Sequence, residues 1–124
     1  MKLVWDKDPI PGNGRNSEGA FIRIPDGSIM FAYSRYTSDT AEDDDCCDIA
    51  AIYSDDEGET WSEPVVIAKA EAFGVKNIMS VSCIYQKDGS IGVYFLIKVE
   101  IRIPAAISRI SAKTISTGII FFFM

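Results

Sequence analysis

The sequence predicts an all-β protein, and three observations carry that reading: apolar runs of strand length, turn residues between them, and weak helical periodicity. Candidate strands cover 20–24, 28–34, 48–54, 64–69, 78–86 and 90–98. The first two flank Asp26-Gly27 and the last two flank Asp88-Gly89. An Asp-Gly pair between apolar runs signals a hairpin, because a tight primed turn needs positive φ. An acidic stretch, 38–45, separates the second and third candidates, and Asp56-Glu57-Gly58 separates the third and fourth. One helical turn is expected near 68–73.

The tetrad Asp26-Gly27-Ser28-Ile29 recurs as Asp88-Gly89-Ser90-Ile91, 62 positions later, each copy preceded and followed by an apolar strand. Repeated antiparallel units in an all-β chain suggest β-propeller blades of four strands, here about one and a half of them.

Composition limits the chemistry. The chain has 124 residues, enough for one small domain, and is 48% hydrophobic and 24% charged, which argues against wholesale disorder. A net charge of −6 disfavours nucleic acid or an anionic membrane surface as partner. With no histidine, imidazole catalysis and His metal sites are excluded. Cys46, Cys47 and Cys83 have no zinc spacing and read as free thiols. No metal and no cofactor is expected. The N-terminus lacks the apolar core of a secretory signal, which points to a cytoplasmic protein. The greasy tail, 118–124, is too short for a span of ~20 apolar residues.

Ser54-Asp55-Asp56-Glu57-Gly58-Glu59-Thr60-Trp61 fits the pattern Ser-x-Asp-x-Gly-x-Thr-Trp at every defined position. The residue types suit a hairpin turn: Asp56 can accept backbone N–H groups, Gly58 can take positive φ, and Trp61 can pack over the strands. A calcium loop is the weaker alternative, since EF-hand spacing is absent. The pattern resembles the Asp-box (BNR repeat) of sialidases, or neuraminidases, and related propellers. In that family Ser54, Asp56, Gly58, Thr60 and Trp61 would be a structural staple between the third and fourth strands of a blade, away from the active site. The resemblance extends over residues 1–98, as a first blade and part of a second in a six-bladed propeller.

The resemblance implies a glycoside hydrolase acting on sialylated or related glycans. Sialidases use a Tyr nucleophile aided by a Glu, an Asp as acid/base, and three arginines on the substrate carboxylate, for which the guanidinium fork is suited. Arg23-Ile24-Pro25 looks like the motif of the first arginine. Blade topology favours Arg15 instead: Arg23 is three residues before Asp26, on the side of the Asp-box turn, whereas Arg15 enters from the opposite, catalytic side. Arg35-Tyr36-Thr37-Ser38-Asp39 resembles the run from a strand-ending arginine to the acid/base. Asp39 is therefore the candidate acid/base, with Asp43, Asp44 and Asp45 behind it. The alternative for 38–45 is a solvated acidic loop. Arg35 and Asn77 are candidate substrate-binding residues at the same mouth.

Beyond residue 98 the pattern fails. The repeat offset places a second Asp-box serine at Ser116, but no Asp, Gly or Trp follows in register. Residues 99–124 read as an aberrant segment, as a frameshift or truncation would produce. Arg102 and Arg109 within it are assigned no role. The Tyr, the Glu and two arginines would come from later blades, so this chain alone is expected to be inactive, and to fold poorly with its strand edges unpaired.

Overall fold

The computed structural model describes residues 1–99 and the backbone of 115–116. Strands β1 (Arg15–Arg23), β2 (Ile29–Tyr36), β3 (Cys47–Ser54) and β4 (Val65–Ala68) form one antiparallel sheet in that order. After a 3-10 turn, Ala70–Phe73, strands β5 (Ile78–Tyr85) and β6 (Ile91–Val99) pair antiparallel. The short β7 (Ile115–Ser116) adds to β6. The protein is all-β.

Most expected strands lie within two residues of those observed, and β1 is the exception. It begins at Arg15, not Ala20, because Arg15, Asn16 and Ser17 pair with Tyr36, Arg35 and Ser34 through backbone bonds that no apolar alternation announces. An irregularity between Ser17 and Gly19 absorbs the change of register.

The repeated tetrads fold alike. Asp26 Oδ1 accepts the Ser28 N–H (2.8 Å) and hydroxyl (2.6 Å), and Asp88 Oδ1 accepts those of Ser90 (3.0 and 2.6 Å). The repeat does not continue to Ser116. In the first sheet Ser54 pairs with Ile29, whereas Ser116 pairs with Lys98 at the far end of β6. Arg102, Arg109 and the rest of 100–114 and 117–124 lie outside the described residues.

The two sheets pack face to face. One face of the first contributes Ile22, Met30, Ala32, Ile49 and Ala51, and the second contributes Ile78, Val81, Ile91, Val93 and Phe95, all buried. Burial of this apolar surface is the main force holding the sheets together. On the other face of the first sheet, Tyr33, Ala50 and Ile52 form a smaller cluster with Trp5, Phe31 and Trp61 against it. At β5, Ser80 takes φ 59° within the register irregularity, and the buried Ser34 hydroxyl accepts its N–H at 3.0 Å.

This meander gives the first sheet two unlike ends. The Asp26-Gly27 turn and residues 55–64 lie at one end. Residues 12–14 and the acidic loop 37–46 lie at the other, where the second sheet joins through a Cys47–Asn77 bridge.

Candidate functional site

The loop end is laced together by backbone. The Gly14 N–H donates to Ser38 O at 2.7 Å, the Gly12 N–H donates to Asp39 Oδ1 at 2.7 Å, and the Thr37 N–H donates to Cys46 O at 2.9 Å. Gly14 permits the approach: a Cβ there would lie 2.6 Å from Thr40 O and 2.8 Å from Ser38 O. Beneath it, the fully buried Asn13 amide donates to Tyr36 O (2.9 Å), Arg15 O (3.2 Å) and Asn16 Oδ1 (3.1 Å).

Arg15, first residue of β1, points toward the second sheet. Its guanidinium lies over the Tyr36 ring, 4.7 Å from the centroid. Nη1 donates to Ala41 O at 3.1 Å and to the Asp43 carboxylate. That bond raises the arginine pKa and holds the Asp43 carboxyl below its ordinary range. Asp45 is held down at about 2 by the Ser38 and Thr40 hydroxyls and the Cys46 N–H. A general acid needs the opposite displacement, so the environments of Asp43 and Asp45 argue against that role for either. Asp44 is exposed and pairs with Lys98 Nζ at 3.1 Å.

Arg15 and Asp39 thus share one end of the sheet, and Asp39 is exposed with one oxygen engaged by Gly12. Arg35 is at that end but on the opposite face. Tyr36, the register partner of Arg15, clusters with Cys47 and Met79, whereas Arg35 alternates to the face of Tyr33. Arg35 Nε and the Tyr33 hydroxyl are both buried, with no hydrogen-bond partner among the described residues.

Asn77 does not line the rim. It is 1% exposed, and its amide donates to Asp43 O (3.1 Å) and Asp45 O (2.6 Å) from below. A side chain held this way positions the loop and offers no face to a ligand. Lys98 joins it, with Nζ donating to Asp43 O at 2.5 Å. Asn13 and Lys98 were not singled out by sequence. The Gly12-Asn13-Gly14 run signals a turn for the first, and nothing local signals the second.

Arg23 sits at the other end. Its guanidinium forms a paired bond with Glu57 (2.8 and 2.8 Å) and donates to Gly27 O at 2.7 Å. The neighbouring turn is self-contained. Ser54 Oγ donates to Asp56 Oδ1 and accepts the Gly58 N–H, both at 2.8 Å. Asp56 accepts the Thr60 N–H (2.8 Å) and hydroxyl (2.5 Å), which with Ser54 hold its carboxyl at about 2. Gly58 has φ 86°, a conformation costly for any side chain. Trp61 Nε1 donates back to Gly58 O at 3.1 Å, and its indole packs toward Phe21. A shallow hollow lined by Ile24, Asp26, Ser28, Tyr53 and Asp55 lies at this end, away from Arg15.

No protein-family model matches this chain, and no curated protein matches it. Among the described residues no cluster of His, Cys, Asp or Glu could hold a metal ion, and no helix is long and apolar enough to cross a membrane. The three cysteines are unpaired, and burial pushes the Cys47 thiol up to about 12, which makes it inert as a nucleophile.

Proposed function

We propose that the chain is the opening part of a sialidase-type β-propeller, carrying one portion of an exo-sialidase site that accepts terminal sialic acid. The supporting observation is the separation of the two ends of the first sheet. Arg15 and Asp39 gather at the loop end, and the Ser54–Trp61 turn, whose pattern resembles the family staple, closes the opposite end. In this reading Arg15 receives the substrate carboxylate and Asp39 is the acid/base. Arg35 lies on the opposite face of the sheet, and Asn77 and Lys98 position the loop.

The chemistry requires more than these residues supply. A glycosyl transition state needs a nucleophile and a fuller ring of donors, which the reading assigns to later blades. The chain alone is therefore expected to give no turnover of a fluorogenic sialoside, and clear turnover would refute that. The decisive test is the coding DNA downstream of codon 98. A reading frame there with further Ser-x-Asp-x-Gly-x-Thr-Trp turns, a Tyr and more arginines supports the enzyme, and none rejects it. With that frame restored, Asp39→Ala and Arg15→Ala should each abolish turnover.

A second reading is a carbohydrate-binding module without chemistry, or a defective truncated product. One observation favours it: an oxygen of Asp39 serves the Gly12 N–H, as a purely structural loop cap would.

A further inference from the structure

The Arg15 guanidinium already holds a carboxylate, and that carboxylate belongs to the chain itself. Asp43 bonds Nη1, the same nitrogen that donates to Ala41 O at 3.1 Å. The two partners are unequally placed. The Arg15 side chain is 29% exposed and lies over Tyr36, whereas the Asp43 side chain is 68% exposed. The arginine is therefore the fixed receptor, and the aspartate carboxylate reaches it from solvent.

The Asp43 backbone has no such freedom. Its carbonyl accepts bonds from Asn77 Nδ2 at 3.1 Å and Lys98 Nζ at 2.5 Å. The carboxylate is thus presented to Arg15 from a pinned main chain, and only its own side-chain torsions can withdraw it. An intramolecular partner held this way competes at high effective concentration with any free ligand.

Resting on the reading of Arg15 as a carboxylate receptor, we infer that Asp43 is a built-in competitor for that site, which an incoming carboxylate ligand must displace. The device weakens carboxylate binding at Arg15 and favours ligands that add contacts elsewhere on the rim. Because the Arg15–Asp43 pair is exposed to water, the competition is modest. Removing it should tighten binding by about three- to fivefold, the scale of an exposed ion pair.

The test uses the full chain and acetate as the probe, at constant ionic strength, reading the Arg15 side-chain NMR resonances. Asp43→Asn and Asp43→Ser should bind acetate about three- to fivefold more tightly than the unaltered chain. Asp44→Asn changes charge equally one residue away, where the carboxylate meets Lys98 instead, and should leave the affinity near its starting value. Arg15→Gln should remove the saturable response of the neighbouring backbone amides. Equal affinity in the Asp43 and Asp44 variants, or no acetate binding in any of them, overturns the inference. Acetate binding strengthened by Asp43→Asn, together with no response to sialic acid, would uphold the competition and reject the sugar assigned above.

Discussion

The Ser54–Trp61 turn and the 37–46 loop close opposite ends of the same sheet, and they are held by different means. The turn is held by its own bonds, as Ser54, Asp56, Gly58, Thr60 and Trp61 satisfy one another within eight residues, while Arg23 and Lys2 reach its exposed Glu57 and Glu59. The loop is held largely by groups outside it, namely Gly12 and Gly14, Arg15, Asn77 and Lys98. A segment closed mainly by its own bonds depends little on its surroundings. One held from outside depends on every donor, and its conformation can be altered from a distance.

That contrast is tested most severely at Gly14. Gly14→Ala forces a Cβ against the Ser38 and Thr40 carbonyl oxygens, and crowding of this kind should cost about 3 kcal/mol in urea unfolding. An unchanged midpoint would mean the loop does not depend on that approach. Asn77→Ala removes both bonds to the loop carbonyls and should cost about 2 kcal/mol. It should also speed amide exchange in 40–46 while leaving that of Thr60 unchanged. Gly58→Ala should do the reverse, costing about 1 kcal/mol through its positive φ and loosening only its own turn.

Acid sharpens the comparison further. The folded pKa of Asp56 is lowered from 3.8 to about 2, so its stabilisation of the turn is complete above the unfolded value and is lost as pH falls through the folded one. Its side-chain carboxyl carbon should titrate by NMR with a midpoint near 2, and a midpoint near 3.8 would break the description of the turn. The smallest effect is expected from Arg23→Ala. Arg23 and Glu57 are 47% and 73% exposed, so salt screens the pair and the unfolding midpoint should hardly move.

Legibility in the sequence follows the same division. The strands with apolar alternation, the paired Asp-Gly turns and the bonding roles of Asp56, Gly58 and Trp61 were readable, because each depends on residues near in sequence. The first half of β1 was not, since Arg15-Asn16-Ser17 is polar and its pairing rests on backbone bonds to β2. The alternation that separates Arg15 from Arg35 across the sheet was available in principle. It needed the register of β1 on β2, and the irregularity at Ser17–Gly19 hides that register. Asn77 lies at the same end of the sheet as Arg15, but only tertiary packing shows it buried beneath the loop, with its amide on the Asp43 and Asp45 carbonyls.

The sequence by itself determined the all-β class, the turns, and the assignment of Arg15 and Arg23 to opposite ends, because strand periodicity and turn chemistry act over a few residues. Tertiary structure alone decided which carboxylate meets Arg15 and what holds the loop around it. Those contacts join residues separated by 28 and 55 positions, Arg15 to Asp43 and Asp43 to Lys98. Nothing in local propensity encodes them. The first forms once β1 has paired with β2, and the second only once the two sheets have packed.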